Sequence, residues 1–135
     1  MLLLIDIGNT NITMCFYDKS VKHVSRLNTL PARDRREYAI ILEGFMLHNH
    51  ISGVKGAVVC SVVPEIIPAF VSALKDVCGI KPLIVSHKLK TGLKFRIKNP
   101  EALGADRIAN AAAAFSLYKG NLIVIDFGTA TTLCL

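Results

Sequence analysis

No apolar run in this sequence reaches the roughly 18 residues needed to cross a bilayer. No basic stretch precedes Leu2-Leu3-Leu4-Ile5, and Asp6 cuts that run short. Neither a membrane anchor nor a secretory leader is expected. Cysteine is sparse: Cys15, Cys60, Cys78 and Cys134 stand far apart, with no C-x-x-C pair. Buried free thiols in a reducing cytoplasm fit this spacing better than disulfides or zinc. His48-x-His50 is the only close histidine pair and has no acidic or cysteine neighbour, so it is a poor zinc site. Charged residues make up only 19% against 52% apolar, the reverse of a disordered tail. Aromatics do not interleave with the basic clusters, Arg33, Arg35 and Arg36, and Lys88, Lys90, Lys94, Arg96 and Lys98. A single-strand stacking platform is therefore disfavoured. The net charge of +6 reads as a solvated basic face; it suits nucleic acid, membrane headgroups or an anionic small molecule, and it is not concentrated enough to choose among them. The sequence contains no G-x-x-x-x-G-K-[ST], and no G-x-G-x-x-G follows a strand, which disfavours a P-loop or a Rossmann site.

What is present is a core-forming pattern. Met1–Asp6, Ile12–Tyr17 and Val21–Leu27 read as three strands of an antiparallel meander, broken by turn residues at Gly8-Asn9-Thr10-Asn11 and Asp18-Lys19-Ser20. The first is continuously apolar, as in a buried strand. Asp34–Leu47 has Tyr38, Ile41, Leu42 and Phe45 on one helical stripe. A strand at 54–60, a helix from Pro64 to its stop at Gly79, and a short strand at 82–85 follow. Residues 88–100 read as a basic loop, Glu101–Tyr118 as an alanine-rich helix, and Leu122–Asp126 as a second buried strand. The order predicts an α/β fold with a mixed sheet.

Two segments echo each other: Leu3-Leu4-Ile5-Asp6-Ile7-Gly8-Asn9-Thr10 and Ile123-Val124-Ile125-Asp126-Phe127-Gly128-Thr129-Ala130. In each, a strand ends in a carboxylate, followed by one apolar residue, a glycine and small polar residues. Glycine lets backbone N–H groups approach an anion. A carboxylate beside a phosphate is repelled unless it holds a cation. One copy would be an ordinary hairpin turn; two copies suggest two phosphate-facing loops. A third feature, Asn99-Pro100-Glu101-Ala102-Leu103-Gly104-Ala105-Asp106-Arg107, places an acid and an arginine at the start of the alanine-rich helix. Asp106 there opposes the helix dipole. It could equally accept a hydroxyl proton, with Arg107 meeting an anionic substrate group.

Asp6-Ile7-Gly8-Asn9-Thr10-Asn11, Ser61-Val62-Val63-Pro64, Asn99-Pro100, Gly104-Ala105-Asp106-Arg107-Ile108-Ala109-Asn110 and Asp126-Phe127-Gly128-Thr129-Ala130-Thr131-Thr132 together resemble type III pantothenate kinase. That family is part of the actin-like and sugar-kinase (ASKHA) superfamily, whose members join two ribonuclease-H-like halves around a nucleotide cleft. The resemblance implies a ribonuclease-H-like domain over 1–120 and the start of a second over 121–135. It implies transfer of the ATP γ-phosphate to pantothenate, giving 4′-phosphopantothenate, the first step of coenzyme A synthesis. By motif position, Asp6, Ile7, Gly8, Asn9, Thr10, Asn11, Ile12 and Thr13 form the first phosphate loop, with Asp6 organising Mg²⁺. Gly104, Ala105, Asp106 and Arg107 match the pantothenate-binding stretch, and Asp106 matches the proton acceptor. Asp126 matches the monovalent-cation ligand, K⁺ or ammonium, and Thr129 an ATP contact. A cytoplasmic enzyme, homodimeric at full length, with no membrane or nucleic-acid partner, is implied.

This chain departs from the family pattern at three points. Ile97 stands where the family often has a pantothenate-contacting tyrosine, and Cys134 where an acidic residue often follows the second loop. Family chains are also longer, so the resemblance covers an N-terminal half and implies a truncated form with little activity alone. Two other functions fit parts of the pattern. Another ASKHA phosphotransferase would use the same two loops. A transcriptional role like that of Bvg accessory factors would use the basic charge, although no helix-turn-helix is visible.

Overall fold

The computed structural model describes residues 1–135, which form two compact units, Met1–Ile84 and Val85–Leu135. In the first, β1 (Leu2–Ile7), β2 (Asn11–Asp18) and β3 (Ser20–Asn28) form the expected antiparallel meander. Helix α1 (Arg35–His48) leads to β4 (Gly56–Ser61), and α2 (Ile67–Cys78) to β5 (Leu83–Ile84). β4 runs parallel to β1, and β5 parallel to β4, giving one mixed sheet ordered β3-β2-β1-β4-β5. The fold is α/β, as the element order predicts.

The strand register decides which side chains form the core. Leu3 pairs with Phe16, Ile5 with Met14 and Ile7 with Ile12, and all six are buried. Tyr38, Leu42 and Met46 of α1 and Phe70, Ala73 and Leu74 of α2 close over this face. Phe16 stacks on Phe45, and Tyr38 packs against Phe70, both at 4.8 Å between ring centroids. Each large apolar side chain buried in this way contributes about 1.5–3 kcal/mol. The continuous apolar run of β1 predicts burial on both faces. Instead burial alternates, with Leu2 exposed and Leu4 half-buried, because within this unit α1 and α2 line one face of the sheet.

Helix boundaries follow local chemistry. Asp34 caps α1 by accepting from the N–H groups of Arg36 and Glu37, while Glu37 accepts from the Asp34 N–H. This reciprocal box is worth about 1 kcal/mol. The helix expected from Pro64 splits into a 3₁₀ turn, Pro64–Ile66, and α2, which ends at Gly79 with φ of 67°. Arg35 and Asp76 form a bidentate ion pair between α1 and α2. Met46 Sδ and Cys78 Sγ meet across the same helices at 3.7 Å. All four cysteines are free, and burial pushes the Cys15 and Cys78 thiols up.

The second unit holds α3 (Ala105–Tyr118) and a two-stranded hairpin of β6 (Val124–Phe127) and β7 (Thr131–Cys134). The helix expected from Glu101 begins later. Pro100–Ala102 form a separate 3₁₀ turn, then Leu103 and Gly104 are extended, so α3 nucleates afresh after Gly104. The strand expected to be buried is instead half open: Ile125 is 49% and Phe127 82% exposed, since this sheet has only two strands. No helix in the chain is long and apolar enough to cross a membrane.

Candidate functional site

In the first unit the candidate residues gather at the end of β1. Asp6 pairs in register with Thr13 of β2 and Cys60 of β4, and its side chain is exposed. The chain then reverses through Gly8–Asn11, where the Gly8 N–H donates to the Asn11 carbonyl at 2.9 Å. A Cβ at Gly8 would lie 3.3 Å from that carbonyl oxygen, tighter than ordinary packing, so close backbone approach favours glycine here. Ile7 and Ile12 point into the core, so they can offer a ligand only backbone groups. Asn9 and Thr10 are exposed, and Asn11 and Thr13 half-buried.

Two neighbours hold this loop. Thr29, the one buried polar side chain, donates from Oγ1 to the Gly8 carbonyl at 2.7 Å, and its N–H donates to the Thr10 carbonyl at 2.9 Å. The Ser61-Val62-Val63-Pro64 motif sits alongside. The Val62 N–H donates to the Ile7 carbonyl at 3.0 Å, and Ser61 Oγ accepts from the Val63 N–H at 3.0 Å. Sequence reasoning missed Thr29. Its only signal was a threonine directly after a strand, and its partners lie a full hairpin away.

The echo segment in the second unit repeats the strand–turn–strand arrangement with a turn one residue shorter. Phe127 pairs with Thr131 as Ile7 pairs with Ile12, so each Asp-x-Gly segment ends a strand and turns into its antiparallel neighbour. Thr129 is exposed in the second turn. Asp126 is half-buried, and its Oδ2 accepts from Asn110 Nδ2 of α3 at 3.0 Å. This pairing was also missed from sequence.

The start of α3 carries the acceptor-side candidates. Gly104 is the extended residue before the helix, Ala105 is buried, Asp106 half-buried and Arg107 exposed. The Arg107 N–H donates to Asp106 Oδ1 at 2.8 Å. Arg107 also lines a cavity of about 450 Å³ with Lys94, Arg96, Ile97, Leu103 and Leu133. Three cations together with apolar side chains in one lining suit a small anion with an apolar body. The cavity thus unites Ile97 and Arg107; Gly104, Ala105 and Asp106 do not line it, but Asp106 is bonded to a residue that does.

No cluster of three His, Cys, Asp or Glu side chains forms a dedicated metal cage. Single carboxylates at strand ends fit cations that keep water and phosphate oxygens among their ligands, as Mg²⁺ does.

A family profile described as type III pantothenate kinase matches residues 2–135. A protein named type III pantothenate kinase from Agathobacter rectalis is 41% identical over 135 residues, covering 98% of this chain and 52% of that protein. Another of the same name, from an Exiguobacterium species, is 39% identical over 137 residues, covering 99% of this chain and 54% of its own length. The chain spans about half the length of the curated relatives it matches.

Proposed function

Because this chain belongs to the type III pantothenate kinase family, we propose that it carries the first phosphate loop and the acceptor residues of an ATP-dependent pantothenate kinase. The reaction is transfer of the γ-phosphate to the pantothenate hydroxyl, the first step of coenzyme A synthesis. The observation that carries this reading is the match across residues 2–135, which takes in every motif residue described above.

Phosphoryl transfer depends on alignment and charge neutralisation more than on covalent help. Gly8 shapes the β1–β2 turn, and Asn9, Thr10, Asn11 and Thr13 offer donors around it. Thr129 contributes an ATP contact from the β6–β7 turn. Asp106 orients the pantothenate hydroxyl and takes its proton. The cavity bordered by Lys94, Arg96 and Arg107 receives the pantothenate carboxylate, and Ile97 and Leu103 receive its apolar body. Asp6 would hold Mg²⁺ through water or directly, and Asp126 a monovalent cation, K⁺ or ammonium; both supply positive charge to the phosphates when bound.

The domain organisation in this reading is a ribonuclease-H-like domain over 1–120, with the β6–β7 echo opening a second, as in an ASKHA kinase. The enzyme works in the cytoplasm, which the four free cysteines suit, and as a homodimer at full family length.

Coupled ADP release tests the proposal. The 135-residue chain alone is expected to give little or no pantothenate-dependent turnover. A chimera completed with the part of the Agathobacter rectalis relative outside the match is expected to turn over. Asp106→Asn in that chimera should lower kcat by about 10²–10⁴-fold with KM for ATP little changed. Equal turnover of the chimera with and without Asp106→Asn, or no preference for pantothenate among hydroxyl acceptors, would overturn it.

A further inference from the structure

Helix α3 contains one residue that its own helical preferences do not explain. Asn110 interrupts an otherwise unbroken alanine stretch, Ala109–Ala114, and asparagine is a poorer helix former than the alanines around it. Its side chain is half-buried, and the Nδ2 group donates to Asp126 Oδ2 at 3.0 Å, 16 residues along the chain. A carboxylate can only accept, so the amide nitrogen must be the atom that faces it. Hydrogen bonds to an ionised acceptor are the stronger kind.

The other carboxylate oxygen is directed elsewhere. A Cβ built on Gly128 would stand 3.9 Å from Asp126 Oδ1, so that oxygen lies beside the first residue of the β6–β7 turn. Asn110 also lies four residues after Asp106, on the same stripe of α3. One helix face therefore carries the proposed proton acceptor and, one turn later, the amide that grips Asp126.

We propose that Asn110 is a positioning residue. It fixes the Asp126 carboxylate in one rotamer, with Oδ2 tied to α3 and Oδ1 beside Gly128. It thereby sets the proposed cation ligand in register with Asp106. The functional part of this statement rests on the reading of Asp126 as a monovalent-cation ligand; the geometric part does not.

The test uses the 135-residue chain, isotopically labelled, as parent, Asn110→Ala and Asn110→Asp. Alanine extends the existing run and keeps the helix; aspartate keeps the shape and sets a like charge against Asp126. Three-bond couplings across the Asp126 Cα–Cβ bond report its rotamer, and Cα shifts report whether α3 is intact. The expected result is one dominant rotamer in the parent and averaged couplings in both variants with α3 preserved. Unchanged Asp126 couplings in both variants would overturn the proposal. A KCl titration against choline chloride at equal ionic strength, followed at the Asp126 carboxyl carbon, separates the two parts. The parent should respond to K⁺, with the apparent Kd raised about tenfold or more in Asn110→Ala, the scale seen when a group orienting a metal ligand is lost. An equal K⁺ affinity in the two would remove the functional role of Asn110. Averaged couplings in the variant, with no K⁺ response in the parent, would uphold the positioning and overturn the cation reading of Asp126.

Discussion

The Met1–Ile84 unit and the Val85–Leu135 unit use similar pieces to different effect. Both contain a strand ending in Asp-x-Gly that reverses into an antiparallel neighbour. In the first, that hairpin is two strands of a five-stranded sheet whose inner face is sealed by α1 and α2. In the second, it is the whole sheet, and only Ala105 and Ile108 of the unit are buried. A two-stranded ribbon is marginal by itself, and regions with few buried contacts open most readily. The same local motif is thus rigid where layers cover it and weakly held where they do not. In the first unit the sheet holds the proposed phosphate loop in place; in the second, single hydrogen bonds such as Asn110 to Asp126 must do more of that holding.

Two phenylalanines put this contrast to its strongest test. Phe70 of α2 is 0% exposed, whereas Phe127 of β6 is 82% exposed. Phe70→Ala should destabilise the chain by about 3–5 kcal/mol, through lost burial and the cavity left behind. Phe127→Ala should stay within about 0.5 kcal/mol. Chemical denaturation of both variants checks this, and comparable losses would mean that the two units are equally well packed.

A smaller effect is expected at Thr29, where the rigidity of the first unit reaches the proposed phosphate loop. Thr29→Val keeps the shape but removes the donor to the Gly8 carbonyl, leaving a part-buried acceptor unpaired. The expected cost is about 1–3 kcal/mol. Hydrogen exchange should show faster opening at the Gly8 and Thr29 amides, while protection at Ile5 and Met14 changes only with global stability. Unchanged exchange at Gly8 would show that Thr29 does not hold the loop.

The reasons why Thr29 and Asn110 escaped sequence reasoning also explain what was legible. The meander, α1 and α2 follow from apolar spacing within a few residues, and the structure returns them with shifts at their ends. The echo around Asp6 and Asp126 was visible because composition repeats locally. Thr29 bonds to Gly8 and Asn110 to Asp126 only after distant segments have come together, and neither residue differs in kind from its unbonded counterparts. The late start of α3 was missed because Pro100 suits a first helical turn, and the extended Leu103 and Gly104 that follow carry no strong stop signal. The exposure of β6 was missed because an apolar run implies a covering layer without supplying one.

The smallest effect concerns what joins α1 to α2 in the well-packed unit. The Arg35 guanidinium holds the Asp76 carboxyl below the ordinary carboxylate range, and Asp76 in turn raises Arg35. Both groups are solvated, so water and salt screen the pair. A carboxylate with a lowered native pKa contributes stability that is complete above its unfolded pKa. That contribution is lost as pH falls through the lower native value. Parent and Asp76→Asn should therefore differ slightly near neutral pH and converge in strong acid, with the difference shrinking as salt rises. Thermal unfolding across that pH range, at two salt concentrations, measures it. If Asp76→Asn instead cost as much as Phe70→Ala, the α1–α2 layer would be held by its surface charges, and the contrast between a covered and an uncovered hairpin would need a different cause from apolar burial.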